Sequence, residues 1–209
     1  FLTFYDPSLT GFGFPLGFFL LMVWLVGLIN ALNFLDNMDG LCSGISLVAS
    51  LGFGVLAFLE GQTLLLVISL SLAGAYLAFL HYNLSPAKIF LGDAGSLLSG
   101  LALAAMGLLF VSEVRTQYSV IAPLLILSYP IFDICFVTFT RLKQGRKFYK
   151  GGLDHSSHRL VYLGVASQKA VWGILLISLF LATTGVVTFY FFDSPVKVLI
   201  PLALAFALT

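Results

Sequence analysis

Long apolar runs constrain this chain more than any other feature of its sequence. Segments of about 20 mostly apolar residues recur along it, and a helix needs about 20 such residues to cross a bilayer. Of its 209 residues, 60% are hydrophobic and 9% are charged, whereas a soluble domain carries about 25% charged residues. The runs are continuous rather than alternating, which argues against a membrane β-barrel. The sequence therefore predicts an all-α, polytopic membrane protein.

We predict about seven membrane spans in one membrane-embedded domain that covers residues 1–209. The spans are expected at residues 14–32, 41–59, 63–80, 96–111, 117–140, 170–192 and from 198 onward. Proline is common in membrane helices, so Pro123 and Pro130 need not end the fifth span. The chain opens on Phe1 and closes at Thr209 within an apolar run. We therefore expect it to be a fragment of a longer protein, with N-terminal helices missing.

The basic residues are concentrated on one side of the predicted membrane. Seven of the ten lie in one loop, and these are Arg141, Lys143, Arg146, Lys147, Lys150, Arg159 and Lys169. By the positive-inside rule, the loops at about 81–95 and 141–170 are then cytoplasmic. Counting spans backwards places the turn that follows the first span on the same side. The polar chemistry of the chain is thus expected at one membrane face.

The turn after the first span is the first of three polar groups expected there. Its polar side chains are Asn30, Asn33, Asp36, Asn37 and Asp39. A carboxylate close to hydrocarbon is costly, so an acid at this depth is a candidate functional residue. On a helix that continues to Gly40, the three asparagines would form one stripe with both aspartates beside it.

The other two polar groups follow the third and fifth predicted spans. The second group contains Asn83, Phe90, Gly92, Asp93, Gly95 and Ser96, and the third contains Asp154, His155, His158 and Arg159. Carboxylates without thiolates suit a hard cation such as Mg²⁺, and arginine and histidine suit phosphate oxygens. The glycines would let backbone N–H groups approach an anion at the start of the fourth span. These groups indicate magnesium-assisted phosphoryl transfer between a water-soluble substrate and a lipid.

Each group also has a purely structural interpretation. Asp36 and Asp39 could be solvated residues at the end of a helix, and Asp93 could be the N-cap of the fourth span. The basic loop could set the topology or contact anionic headgroups. Asp133 lies inside the predicted fifth span and could either pair with a basic group or orient a catalytic one.

Three motifs occur in order along the chain, and they are residues 33–40 (NFLDNMDG), 90–96 (FLGDAGS) and 154–160 (DHSSHRL). Together they resemble the polyprenyl-phosphate N-acetylhexosamine-1-phosphate transferase family. Within that family, the bacterial undecaprenyl-phosphate N-acetylglucosamine-1-phosphate transferase branch is the most similar. The resemblance covers residues 16–170.

The resemblance implies an enzyme of the bacterial plasma membrane with its active site on the cytoplasmic side. Such an enzyme moves N-acetylhexosamine-1-phosphate, here expected to be GlcNAc-1-phosphate, from a UDP-sugar to undecaprenyl phosphate. UMP is released, and the lipid product begins a cell-envelope glycan. The implied cofactor is Mg²⁺, with Mn²⁺ as a substitute, and the implied partners are the UDP-sugar and a membrane lipid. No nucleic acid is expected as a partner, and a homodimer is left open.

The same resemblance assigns roles to residues of this sequence. Asp93 matches the metal ligand. The positions matched to catalysis are Asp36, Asp39, His155, His158 and Arg159, and those matched to substrate binding are Asn33, Asn83, Phe90, Gly92 and Ser96. The Phe90 ring is expected to stack on uracil. The resemblance does not decide whether the two aspartates of the first motif act as base, metal ligand or uridine contact.

The chain also departs from the family pattern, and alternatives remain open. Asn37 stands where the family usually has glycine, and a paired Asp-Asp motif that normally lies further N-terminal is absent from these 209 residues. A sister enzyme could use another UDP-N-acetylhexosamine, including UDP-MurNAc-pentapeptide, although Ser156 and Ser157 in place of further histidines argue against that one. The remaining alternatives are a catalytically inactive relative and a transporter or channel.

Overall fold

The computed structural model describes residues 13–114, 119–147, 152 and 154–191. These residues form eight α-helices and no strand, which confirms the all-α prediction for this part of the chain. The helices are α1 (Gly13–Leu35), α2 (Leu41–Leu59), α3 (Thr63–Asn83), α4 (Gly92–Glu113), α5 (Ile121–Ile126), α6 (Ser128–Lys143), α7 (Ser156–Tyr162) and α8 (Ser167–Phe191).

Five of the described helices, namely α1, α2, α3, α4 and α8, are long and apolar enough to cross a membrane. The chain is therefore a multi-pass membrane protein. The predicted seventh span, from residue 198, lies outside the described residues. The described part of the predicted fifth span at 117–140 consists of two shorter helices, α5 and α6, so this span is interrupted.

The break between α5 and α6 has a local cause. Pro130 has no N–H group to donate to the carbonyl of Ile126, the last residue of α5. Backbone bonds from Leu127 N–H to the Pro123 carbonyl (3.0 Å) and from Ile131 N–H to the Leu127 carbonyl (3.2 Å) bridge the interruption. The segment is therefore a kinked rod whose second half, α6, continues to the polar end of the molecule.

Helix α2 lies at the centre of the bundle. It packs against α3 and α8, while α1 packs mainly against α4. Side chains on several faces of α2 are fully buried, among them Leu41, Ala49 and Phe53. Helices α1 and α3 instead leave most of their apolar surface exposed, as expected of helices that face lipid.

Helices α1 and α4 touch backbone to backbone. A Cβ atom at Gly100 would lie 2.5 Å from the Cα atom of Ile29, so only glycine permits this approach. One turn further along, the indole N–H of Trp24 donates to the Ala104 carbonyl at 3.0 Å. The two helices are antiparallel, and this close crossing fixes the end of α1 against the start of α4.

The helix that leads into the first polar turn, α1, is shorter than the sequence predicts. Helix α1 ends at Leu35 instead of continuing to Gly40. The Asn37 side chain donates to the Phe34 carbonyl at 2.7 Å, which competes with a further helical turn. Gly40 has a φ of 78° and precedes α2 directly. Residues 36–40 are therefore a turn, and the predicted single stripe of asparagines does not form.

Candidate active site

The end of α1 and the start of α4 bring two of the predicted polar groups together. The Asn33 amide donates to the Asp93 carboxylate at 3.2 Å and to the Ser96 hydroxyl at 2.9 Å. Ser96 in turn donates to the Gly92 carbonyl. Asp93 lies in the first turn of α4 and makes no N-cap hydrogen bond, so the capping interpretation is wrong. We call Asn33, Asp36, Asp93 and Ser96 the acidic corner.

Asp36 completes the acidic corner from the turn. Burial raises the pKa of its carboxyl group, the backbone N–H of Gly92 opposes this shift by hydrogen bonding, and the negative charge of Asp93 adds to it. The two carboxylates therefore lie within electrostatic reach of each other. In the described part of the chain, neither has an ion-pair partner.

Asp39, the second aspartate of the turn, is held apart from the acidic corner. Its carboxylate accepts a hydrogen bond from the Ala87 N–H at 3.1 Å. It opens onto a cleft of about 260 Å³ that is also lined by Ser85, Gln168 and Trp172. Gln168 closes one side of this cleft by donating to the Ser85 carbonyl at 3.0 Å. The structure thus separates two aspartates that are only three residues apart.

Asn83 and Phe90 occupy contrasting environments. The buried Asn83 carbonyl oxygen accepts from the Ser43 hydroxyl (2.6 Å) and the Gly40 N–H (3.2 Å), and its amide donates to the Ile89 carbonyl (2.9 Å). It therefore ties the loop after α3 to the start of α2. The Phe90 ring is 73% exposed and is free to receive a flat group. The substrate-binding role of both residues stays a prediction.

The loop after α6 is folded back by two acids, the buried Asp133 and the half-buried Asp154. We call these acids and their partners the loop clamp (Asp133, Arg141, Asp154, His155 and Ser156). Arg141 is 1% exposed, and its guanidinium makes two hydrogen bonds to Asp154, at 2.7 and 2.6 Å. This contact holds the pKa of the Asp154 carboxyl group at about 2. Asp133 accepts hydrogen bonds from the backbone N–H and hydroxyl of Ser156 and contacts His155 Nδ1 at 2.8 Å.

The clamp positions the two other predicted residues of the third group. Arg159 Nε donates to the Asp154 carbonyl at 3.2 Å, and its guanidinium lies 4.6 Å from the centre of the Phe136 ring. The His158 ring lies 6.4 Å from that of His155. Burial, with the neighbouring His155, lowers the pKa of His158, so its neutral form is favoured.

Two contacts join residues 154–159, which we call the histidine loop, to the end of α1 and the turn after it. The Ser157 hydroxyl donates to the Asn37 amide oxygen at 3.1 Å, and the rings of Phe34 and His155 meet edge to face at 5.7 Å. The predicted meeting of three polar groups at one end of the bundle is therefore observed. The roles assigned to the individual residues remain predictions.

The donor set of the acidic corner fits a magnesium ion only with help from a substrate. Among the described residues, no group of three or more His, Cys, Asp or Glu side chains could hold a metal. The corner offers two facing carboxylates, a hydroxyl and an amide, all hard oxygen donors. Mg²⁺ is commonly held by one or two carboxylates together with waters and substrate phosphates. The corner fits that pattern.

Two buried residues of the site, Asp133 and Arg141, are not assigned a role by the sequence. Asp133 stood out because an acid inside an apolar run is costly, but its partners were not predictable. Arg141 is predicted only as one of the seven basic residues of its loop, although it is the largest fully buried side chain in the described part of the chain. One signal for this pairing is present in the sequence. Arg141 lies in the last turn of a helix, and the loop that follows carries the acid Asp154.

The fold and site thus define a polytopic membrane protein with paired carboxylates, histidines and arginine gathered at one end of its helices. The chain belongs to glycosyl transferase family 4, whose family model matches residues 2–111. The resemblance noted from the three motifs is thereby confirmed.

Several relatives carry more specific names. The chain is 35% identical over 168 residues to the probable undecaprenyl-phosphate N-acetylglucosaminyl 1-phosphate transferase of Bacillus subtilis, covering 80% of the chain and 47% of that protein. It is 32% identical over 181 residues to the undecaprenyl-phosphate alpha-N-acetylglucosaminyl 1-phosphate transferase of Escherichia coli, covering 84% and 49%. It is 34% identical over 182 residues to a phospho-N-acetylmuramoyl-pentapeptide-transferase of Streptococcus equi, covering 85% and 54%. The chain spans about half the length of these relatives.

Proposed function

We propose that the protein containing this chain transfers N-acetylhexosamine-1-phosphate from a UDP-sugar to undecaprenyl phosphate, at the cytoplasmic face of a bacterial plasma membrane. The names of the Bacillus subtilis and Escherichia coli relatives support GlcNAc-1-phosphate as the transferred group. The observation that carries the proposal is the acidic corner, where Asn33 links Asp93 to Ser96 and Asp36 lies alongside. Two neighbouring carboxylates that have no cationic partner among the described residues suit a cation-bound diphosphate.

Asp93 and Asp36 would hold Mg²⁺, which supplies neutralisation of the diphosphate charge when bound. Asn33 orients the Asp93 carboxylate by donating to it, which leaves the second carboxylate oxygen for the cation. The Gly92 N–H fixes Asp36 in the same way. The protein contributes mainly position and electrostatics, as is usual in phosphoryl transfer.

In the proposed reaction, an oxygen of the lipid phosphate attacks the β-phosphorus of the UDP-sugar. The bond between that phosphorus and the bridging oxygen breaks, and UMP leaves with the bridging oxygen. A phosphate monoester is already largely ionised at pH 7, so neither Asp36 nor Asp39 has to remove a proton. Arg159, held by the loop clamp, donates to phosphate oxygens during the transfer.

The surroundings of Arg159 support a lipid substrate. A cleft of about 230 Å³ runs between α6, α7 and α8, and its walls are largely apolar. Phe132, Phe136 and Leu163 line it, with Arg159 and Ser156 among the polar groups. A prenyl chain in this cleft would place its phosphate near the guanidinium. The exposed Phe90 ring, across the loop, is the expected stacking surface for uracil.

The test is UMP release by the full-length protein in detergent with undecaprenyl phosphate, UDP-GlcNAc and Mg²⁺. We expect release only when the lipid is present, and a loss of about 10²- to 10³-fold in kcat for Asp93→Asn, because an electrostatic stabiliser is removed. Glu113→Gln, which changes an exposed acid at the opposite end of the same helix, is the matched control and should leave kcat unchanged. A wild-type protein that releases no UMP from any UDP-N-acetylhexosamine would overturn the proposal.

A second candidate substrate is favoured by the similarity to the Streptococcus equi relative. The same assay with UDP-MurNAc-pentapeptide and UDP-GalNAc distinguishes the sugars. We expect the highest kcat/KM with UDP-GlcNAc, because Ser156 and Ser157 are engaged by Asp133 and Asn37 rather than directed at a peptide. A higher kcat/KM with the pentapeptide substrate would assign the chain to the sister activity.

A further inference from the structure

Among the residues that the structure describes, Asp133 is the most deeply buried acid, with 1% of its surface exposed. It lies in the middle of α6 and uses both oxygens to hold the histidine loop. One oxygen accepts from the Ser156 backbone N–H at 2.9 Å and from the Ser156 hydroxyl. The other contacts His155 Nδ1 at 2.8 Å. The reaction proposed above makes no use of this residue.

The bonding at Asp133 determines where the His155 proton lies. An ionised carboxylate only accepts hydrogen bonds, and here it already receives two donors from Ser156. The contact with His155 is therefore made by an Nδ1–H group, and the neutral imidazole carries its lone pair on Nε2. Within the described residues, no hydrogen bond reaches Nε2.

The position of the His155 ring determines which group its free nitrogen can meet. The His155 ring meets the Phe34 ring edge to face at 5.7 Å, beside the turn that carries Asp36. Its neighbour Ser157 bonds to Asn37 in the same turn. Nε2 is thus the one ring nitrogen left to meet a substrate next to the acidic corner.

We propose that Asp133 is a positioning residue that fixes His155 in its Nδ1–H tautomer and directs Nε2 to the substrate. This inference rests on the proposed function, since it assigns the substrate contact to His155. It differs from a purely mechanical role of Asp133 in loop folding, because a loop anchor would need only the two bonds to Ser156. The histidine contact adds a preference between two tautomers.

Two variants separate the alternatives. Asp133→Asn retains an oxygen that can accept from Ser156, but its NH₂ group cannot accept from Nδ1–H. Ser156→Ala removes the hydroxyl bonds to Asp133 and to Tyr129 (2.7 Å) while leaving the contact between Asp133 and His155. We measure kcat and KM for UDP-GlcNAc in full-length protein. In parallel, ¹⁵N NMR of histidine-labelled protein at a pH where His155 is neutral reports the tautomer directly, with His155→Gln used to assign the signal.

We expect the wild-type His155 signal to show the Nδ1–H tautomer, and Asp133→Asn to lose it. The same variant should lower kcat by about 10- to 100-fold, as other residues that orient a functional histidine do, with KM within about threefold. Ser156→Ala should keep the tautomer, and its loss of kcat should be smaller than that of Asp133→Asn. An unchanged tautomer in Asp133→Asn, or an equal loss of kcat in Ser156→Ala, would overturn the inference. The NMR readout needs no activity, so a wild type that releases no UMP counts against the proposed function alone.

Discussion

The acidic corner and the loop clamp each contain two aspartates and a serine, but the surroundings of their carboxylates have opposite effects. In the clamp, Asp154 faces the Arg141 guanidinium, and its pKa falls to about 2. In the corner, burial and the negative charge of Asp93 raise the pKa of Asp36. Opposite charge within a few ångströms favours the ionised form of an acid, while burial and like charge oppose it. The Asp154 carboxylate in the clamp is paired with a cation, whereas the carboxylates of the corner have no cationic partner among the described residues.

This difference separates the acids that stabilise the fold from those that can bind a ligand. Removing the acid of a buried ion pair is destabilising, because the buried cation loses its carboxylate. An unpaired acid near other acids costs folding stability and remains useful because a ligand can supply the missing charge. Substitutions in the two regions should therefore affect different measurements.

The largest effect on stability is expected in the clamp. Asp154→Asn leaves the buried Arg141 guanidinium facing a neutral group, and we expect the free energy of unfolding to fall by about 3 kcal/mol. Thermal unfolding of full-length protein in detergent measures this loss. Asp93→Asn is the matched substitution in the corner, and it should leave the midpoint equal to or above that of wild type. Equal destabilisation by both substitutions would remove the distinction between the two regions.

A smaller effect is expected where α1 crosses α4. Gly100→Ala places a Cβ atom 2.5 Å from Ile29 Cα, so the helices must separate, at a cost of about 1–3 kcal/mol. Because the corner spans these two helices, the rate of UMP release should fall as well. Gly74→Ala in α3 is the control, since a Cβ atom there meets nothing within 4 Å. If Gly100→Ala lowers stability without lowering the rate, the crossing does not position the corner.

The smallest effect is expected for Asp36→Asn. An acid whose pKa is raised in the folded state costs stability above that pKa, and the cost disappears as the pH falls through it. At pH 7, Asp36→Asn should therefore raise the free energy of unfolding slightly, by about 1 kcal/mol or less, and with it the unfolding midpoint, since Asp36 is partly exposed. Thermal unfolding of wild type and variant at pH 7 tests this. A lowered midpoint would mean that Asp36 has a stabilising partner.

Asp154 has the opposite dependence on pH. Its pKa is lowered from 3.8 to about 2, so its contribution is complete above pH 3.8 and is lost as the pH falls towards 2. Chemical denaturation of wild type and Asp154→Asn over that range should give curves that converge at the acid end. Curves that stay parallel would exclude Asp154 as the titrating group.

Much of this architecture could be predicted from the sequence. The bounds of α2 were predicted correctly because a continuous apolar run lies between Gly40 and Glu60. The gathering of the polar groups followed from counting spans and basic residues. In contrast, the end of α1 was misplaced because the side chain of Asn37 bonds to the local backbone, which a helical period does not reveal.

The partners within the site were less predictable for a related reason. The contacts from Asn33 to Asp93 and from Asp133 to His155 join residues far apart in sequence. They depend on how helices cross and how a loop returns, and no spacing rule encodes either. Residue types indicated which chemistry was available, but the structure was needed to separate the paired acids from the unpaired ones.

The most direct test of the difference between corner and clamp is Mn²⁺ binding to full-length protein, followed by electron paramagnetic resonance with and without UDP-GlcNAc. We expect Mn²⁺ to bind to wild type when UDP-GlcNAc is present, and Asp93→Asn to weaken that binding by at least about 10-fold. Glu113→Gln, at the other end of α4, should bind Mn²⁺ as wild type does. Wild-type affinity in Asp93→Asn would contradict the assignment of the unpaired carboxylates to a cation.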